Sequence, residues 1–541
     1  MTTRPEAGAI DRVGAAGEAS TPDRARYELD ELLGISRAMS SQRDIRKLLD
    51  LILQKSRQIT GADAGSVYVL EPKEDGAPGE KRLHFMLSQN DSMQIDFKEF
   101  HLAVDSSSIV GRAVLDARPI NIADLERPDD DDPFQHNRSF DDKTGYRARS
   151  MLTVPMLSAE NEVIGVIQLI NKKRRPGRLR DADFAAEVIP FDARAEELAL
   201  ALASQAGVCL ENAILYKEIT NLFEGFVDAS VTAIEARDPT TSGHSRRVAT
   251  LTVALAQTVD AVGEGPLRDV RFSAQDLRQI EYAGVLHDFG KVGVRENVLV
   301  KAKKLYDWQR DAIKLRFHYI RKALEAEALR GKLALVSKGG AAAVTELLAQ
   351  ADGELGQQLA RLDEAWKAIA AANEPTLLEQ PVLSRLREVA RWEYVDADGR
   401  RRPYLEPGEL EALEVGRGSL TPAERREIES HVTHTVAFLE TIPWGRTLRD
   451  VPRIAGAHHE SLDGRGYPAG LKGDAIPVES RMLTIADIFD ALTASDRPYK
   501  PAVPSARALD IIASEVKAGR CDPLLFQIFV DAQIWKRVLV T

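Results

Sequence analysis

Seven of the ten histidines stand between His244 and His459, and several adjoin carboxylates. His287-Asp288 lies in the run Val285-Leu-His-Asp-Phe-Gly-Lys291. Neighbouring helix side chains diverge by about 100°. Such a pair can serve one site if two ions sit there and the carboxylate bridges them. A second element, Gly456-Ala-His-His-Glu460, precedes the glycine-rich loop Leu462-Asp-Gly-Arg-Gly-Tyr-Pro468. A third, Ala486-Asp-Ile-Phe-Asp490, sets Asp487 in an apolar helix where a lone buried charge would be costly. His244 opens a helix in Thr241-Ser-Gly-His-Ser-Arg-Arg247, and His431 and His434 share a helix face. Imidazole and carboxylate together suit Mn, Fe or Zn, and bridging oxygens suit a two-metal hydrolase. Two ions about 3.5–4 Å apart lower the pKa of a bridging water and hold phosphoryl oxygens for in-line attack. Each residue alone has an ordinary structural explanation. Their joint occurrence, in order, favours metal. His318 and His434 read as structural.

The elements that position these residues fall into two regions. Helical periodicity covers 26–60, and strand-like runs follow at Ser66–Leu70, Arg82–Leu87, Ser150–Met156 and Val163–Ile170. Helices flanking a mostly antiparallel sheet predict an α+β domain. Val208, Asn212, Leu215, Ile219, Leu222, Phe226, Ala229 and Ala233 then step by 4 and 3, the spacing of a coiled-coil seam. A helix packed on one of its own domains would show the same spacing. From Asp238 onward the pattern is helical without a credible strand, including an Ala-, Leu- and Glu-rich insertion at about 302–414. Asp396–Pro407 reads as an exposed loop. The predicted organisation is a leader at 1–28, an α+β domain at 29–200, a connecting helix at 201–237 and an all-α domain at 238–541.

Composition narrows the function classes. The 541 residues are 44% hydrophobic and 29% charged, so folded cores are expected. A net charge of −11 argues against broad nucleic-acid binding. Two cysteines cannot build a disulfide framework, which predicts a reducing, cytoplasmic setting. The run Leu198–Leu210 is too short for a membrane span and ends at Glu211. Residues 1–28 lack the apolar core of a secretory signal and read as a disordered leader.

The order His244, His287-Asp288 with Lys291, His431, His458-His459, Asp463-Gly-Arg-Gly-Tyr-Pro468, Asp487 and Asp496-Arg-Pro-Tyr499 resembles the HD-GYP subgroup of the HD phosphohydrolase superfamily. The resemblance covers roughly 218–301 and 415–541. It implies a metal-dependent phosphodiesterase that opens cyclic di-GMP to pGpG, and onward to GMP, by attack of a metal-bound hydroxide. It also implies two divalent ions, Fe or Mn, on His244, His287, Asp288, His431, His458, His459 and Asp487, with Asp288 bridging. Lys291 would act beside Asp288 in catalysis and contact a phosphate oxygen. Arg497, Lys500, Gly466, Tyr467 and Pro468 would contact substrate, and the Gly-Tyr-Pro loop could also dock a diguanylate cyclase. Thr240 stands where some relatives carry the Glu of a third metal site, which favours two ions. The insertion leaves two histidines, His318 and His431, as rivals for one ligand position. A non-catalytic receptor for the same nucleotide is the alternative reading.

Residues 30–215 resemble a GAF sensor domain through Asp142-Lys-Thr-Gly-Tyr146, Arg149–Pro155 and Val166–Lys172. The cyclic-nucleotide-binding signature of some GAF domains is partial here. Asn171-Lys172, Phe191 and Glu196 fit, but Ala195 replaces the Asp. The expected partners are therefore cyclic di-GMP, a small GAF ligand such as a cyclic nucleotide, and a second copy of the chain. No membrane or nucleic-acid partner is expected.

Overall fold

The computed structural model describes residues 32–73, 77, 79–94, 99–127, 145–180, 184–237, 243–338, 341–494 and 502–537. The 1–28 leader, Asp142–Thr144, Thr240, Asp496, Arg497, Tyr499 and Lys500 lie outside them. The chain divides into two compact units, Met1–Phe223 and Glu224–Thr541.

The first unit is built on one antiparallel sheet. Its strands are β1 (Ala62–Pro72), β2 (Lys81–Asn90), β3 (Phe100–Ala103), β4 (Ile120–Ile122), β5 (Met151–Leu157), β6 (Val163–Lys173) and β7 (Val188–Ile189). They run in the order β3-β2-β1-β6-β5-β4, and β7 pairs with β6. Asp44 caps the helix Ile45–Thr60 by accepting from the Lys47 N–H, and Gly61, at φ 75°, ends it. That helix buries Leu48, Leu49, Ile52 and Leu53 against Val67, Val69, Ile167 and Leu169 on one sheet face. Truncating a leucine there would cost about 2–5 kcal/mol. On the opposite face, Tyr68, Leu83, Phe85 and Val166 pack with Val110 and Ala113 of the helix Ile109–Asp116. Alternation along β1 and β2 thus serves two cores.

The helix Ala193–Arg237 is 45 residues long. Ala199, Leu202, Ala203, Ala206 and Leu210 pack into the sheet core, and this is what the apolar run serves. By length and composition the helix could cross a membrane, yet half of its most apolar stretch is buried inside the protein. The 4-and-3 seam faces solvent instead: Leu215, Ile219, Leu222 and Phe226 are 48%, 66%, 76% and 47% exposed.

The second unit is largely helical. Val248, Leu251, Leu255 and Val259 of the helix His244–Asp260 meet Met482, Leu483, Ile485 and Phe489 of the helix Val478–Thr493 in its main core. The insertion has a core of its own. Two 32-residue helices, Asp307–Lys338 and Ala341–Ala372, join Leu386, Val389, Leu405 and Leu413 there. One expectation needs correcting, because the region is not free of strands: β8 (Glu393–Val395) pairs with β9 (Arg401–Pro403). Asp396 turns this hairpin by accepting from the Asp398 and Arg400 N–H groups, and Gly399 adopts φ 78°.

Candidate metal centre

A capping box at Ser273 and Asp276 starts the helix Ala274–Leu286, which runs out at His287. The chain then tightens into the 3-10 turn Phe289–Gly293. Gly290 is required there, since a Cβ would overlap the His431 carbonyl and the Thr435 backbone. Thr435 locks this approach, accepting from the Gly290 N–H at 2.8 Å and donating to the His287 carbonyl at 3.0 Å. A second capping box, at Thr421 and Glu424, starts the helix Pro422–Glu440 that carries His431. Thr484 donates to the His458 carbonyl at 2.7 Å, tying the double histidine to the helix that carries Asp487.

Three imidazoles share one arrangement. His287, His431 and His458 each donate Nδ1–H to the carbonyl three residues earlier, Gly284, Ile428 and Ala455, at 2.7, 2.5 and 2.6 Å. This fixes the tautomer and leaves each Nε2 as a lone pair. All three Nε2 atoms are buried and lack a hydrogen-bond partner. Buried acceptors are rarely left so.

Asp288 sits among them, 6% exposed. Its Oδ1 is 3.3 Å from His431 Nε2, while Oδ2 is 3.5 Å from His287 Nε2 and 3.8 Å from His244 Nε2. Its two oxygens therefore face different histidines. Asp487 Oδ1 lies 3.2 Å from His244 Nε2 and 3.8 Å from His287 Nε2. His459 completes the group, its ring centroid 4.1 Å from His458 and 5.2 Å from His431. Two trios, His244/His287/Asp288 and His431/His458/His459, each bring their donor atoms within 4.8 Å of one another. Fixed lone pairs, burial and two carboxylates suit a pair of divalent transition ions. Asp288, a member of the first trio, also faces His431 of the second. Lys291 Nζ is 2.8 Å from Asp288 Oδ2.

Electrostatics divide the histidines. Burial pushes His458 well below its usual pKa and His459 down to about 4, so both are neutral and open to metal. Burial also pushes His244 down, but hydrogen bonds to Asp487 and Asp490 override it and lift the pKa to about 9. Burial disfavours charge on Asp288 and Asp487 too. Lys291 holds Asp288 well below the carboxylate range, and His244 does the same for Asp487.

The structure thus brings His244, His287, Asp288, His431, His458, His459 and Asp487 together. His318 stands exposed on an insertion helix, so of the two rivals His431 is the one in this cluster. Tyr467 lies against the centre, 4.9 Å from the His459 ring, while Pro468 is exposed. Gly466 packs on the Glu460–Ser461 backbone, which a Cβ would overlap. Arg497 and Lys500 lie outside the described residues.

Sequence reasoning missed the supports. Asp490 accepts from His244 Nδ1 at 2.8 Å and from Arg247 Nε at 2.7 Å. Its signal was the i, i+3 spacing from Asp487, which places both on one helix face. Buried Glu460 accepts from the Ala469 and Leu471 N–H groups at 2.7 and 2.8 Å, holding the Gly464–Pro468 loop closed. In the first unit, Asn171 is committed to backbone: its amide accepts from the Arg149 N–H and donates to the Arg147 carbonyl. Lys172 reaches Asp192 at 2.7 Å, and Phe191 is core.

The chain matches the HD-domain family over residues 241–398 and again over 406–525, and the GAF-domain family over 44–210. It therefore joins an α+β GAF domain to a largely helical HD-type domain. Its relatives include the 3'3'-cGAMP-specific phosphodiesterase 3 of Vibrio cholerae, 44% identical over 109 residues, which are 20% of this chain and 23% of that protein. A probable cyclic di-GMP phosphodiesterase of the same organism is 29% identical over 217 residues, 38% of this chain and 47% of the relative. The chain thus spans less than half the length of either. Among solved structures, the GAF domain of an Acinetobacter phosphoenolpyruvate-protein phosphotransferase is 18% identical with a TM-score of 0.26, covering 36% of this chain and 98% of that one.

Proposed function

We propose that the chain is a metal-dependent cyclic-dinucleotide phosphodiesterase of HD-GYP type that opens cyclic di-GMP to pGpG, and onward to GMP. The observation that carries this reading is the ring of buried, partnerless Nε2 atoms around a carboxylate whose two oxygens face different histidines. His244, His287, Asp487 and Asp288 would hold one divalent ion, and His431, His458, His459 and Asp288 the other, with Fe or Mn the expected metals. Such a pair supplies a water of lowered pKa and a clamp on phosphoryl oxygens. Asp288 keeps the two halves of the site in register. Lys291, held at its edge, meets charge that develops on a phosphate oxygen during cleavage. Tyr467 stands where a nucleotide would rest against the centre, and Arg497 and Lys500 supply further phosphate contacts.

The matches to proteins named for 3'3'-cGAMP favour testing that dinucleotide beside cyclic di-GMP. In this reading the GAF domain binds a small ligand and biases the HD site through the connecting helix, in a cytoplasmic homodimer. The Gly-Tyr-Pro loop offers a diguanylate cyclase a docking surface. The test is incubation of anaerobically purified, Mn- or Fe-loaded protein with each dinucleotide, separating products by chromatography. Linear product supports the enzyme. Tight binding without product, in protein shown to hold metal, would establish the receptor instead.

A further inference from the structure

We propose a second transition-metal site, on the sheet of the GAF domain, made by Glu71, His84 and His101 with Glu99 behind them. Three strands bring the residues together. His84 of β2 pairs directly with His101 of β3, and Val69↔His84 places Glu71 one diagonal step away on β1. Leu83 and Phe85 point into the core on the opposite face, so alternation turns His84 to the side that Glu71 shares.

The contacts are ordered. His84 Nδ1 lies 2.9 Å from Glu71 Oε1, and its Nε2 lies 3.2 Å from Glu99 Oε2. His101 Nε2 is 3.7 Å from Glu71 Oε2, and the two imidazoles stack with centroids 4.4 Å apart. One donor atom from each of Glu71, His84 and His101 falls within 4.8 Å of the others. A neutral imidazole carries one N–H and can donate to only one of its two carboxylates. The other contact then sets a lone pair against a carboxylate oxygen, which a second ring proton or a metal ion resolves, the two competing for that nitrogen.

With Nε2–H donated to Glu99, Nδ1 is left facing Glu71, the carboxylate–histidine–metal arrangement in which an outer acid fixes the ligand. Two arginines brace the outer edges: Arg46 pairs with Glu99 Oε1, and Arg82 lies 3.9 Å from Glu71 Oε2. Oε1 of Glu71 still faces His84. Two nitrogens and one carboxylate match zinc and its neighbours rather than calcium or magnesium. With side-chain exposures of 15% for His84 and 41% for His101, the site is open to solvent.

The proposal is independent of the phosphodiesterase reading and is tested on the full chain. Zn2+ binding to wild type, His101→Ala, Glu71→Gln and His287→Ala is measured by equilibrium dialysis with metal analysis. His101 is exposed on an edge strand, so folding does not depend on it, and circular dichroism checks each variant. The expected result is one Zn2+ fewer per chain in His101→Ala and in Glu71→Gln, with hydrolytic activity unchanged, while His287→Ala loses metal from the other centre. Glu99→Gln should weaken the same site by about 10-fold or more. Stoichiometry and affinity equal to wild type in both His101→Ala and Glu71→Gln would overturn the proposal.

Discussion

His244 stands between two carboxylates, its Nδ1 2.8 Å from Asp490 and its Nε2 3.2 Å from Asp487. The outer acid fixes the tautomer, and the inner one lies on the side where the proposed metal would bind. Arg247 in turn braces Asp490 at 2.7 Å. Replacing Asp490 by Asn should lower metal affinity by about 10–100-fold. Saturating metal should restore much of the turnover, because Asp490 orients a ligand without being one. Unchanged metal affinity would remove Asp490 from the support of the centre.

The elevated pKa of His244 sets a proton count. Its folded value of about 9 exceeds the ordinary 6.5, so the metal-free centre carries His244 protonated at neutral pH. Binding an ion must displace that proton. Calorimetry in buffers of differing ionisation heat should show release of about one proton per chain at pH 7.5, vanishing above pH 9. Affinity should rise with pH up to that point. The sign for stability is opposite: this contribution is full below 6.5 and lost as pH rises through 9. A pH-independent affinity between 6.5 and 9 would contradict the assignment.

Asp288→Ala should leave the fold intact and abolish hydrolysis, since it removes the carboxylate whose oxygens face His431 on one side and His287 and His244 on the other. Lys291→Ala should lower turnover by about 10²-fold or more. His431→Ala should behave like a ligand loss, whereas His318→Ala should match wild type. Steady-state rates with metal analysis separate these outcomes. Near-normal rates in Asp288→Ala would refute the shared-carboxylate scheme.

Much of this centre was legible because its members come as chemically unusual neighbours, His287-Asp288 and His458-His459, or as Asp487 in an apolar helix. Asp490 and Arg247 were not, since charges three residues from a polar partner look like ordinary surface pairs on a helix. The supporting hydroxyls of Thr435 and Thr484 act through backbone groups far away in sequence, and no local pattern reports that. The β8–β9 hairpin carried its turn signal in Asp396 and Gly399, but three-residue strands give too little alternation to register. The pairing of His84 with His101 depends on sheet register across 16 intervening positions. Only the fold supplies it.

The exposed seam of the connecting helix predicts self-association. Leu215, Ile219, Leu222 and Phe226 present a stripe that a second copy would cover. Sedimentation should show a dimer that Ile219→Asp with Leu222→Asp converts to monomer. A monomeric wild-type chain at micromolar concentration would discard the seam.

The most direct test is an anomalous-scattering map of Mn- or Fe-loaded crystals. Two peaks about 3.5–4 Å apart should flank Asp288, one against His244, His287 and Asp487, the other against His431, His458 and His459. A single peak away from Asp288, or none in protein that analysis shows to be loaded, would contradict the account.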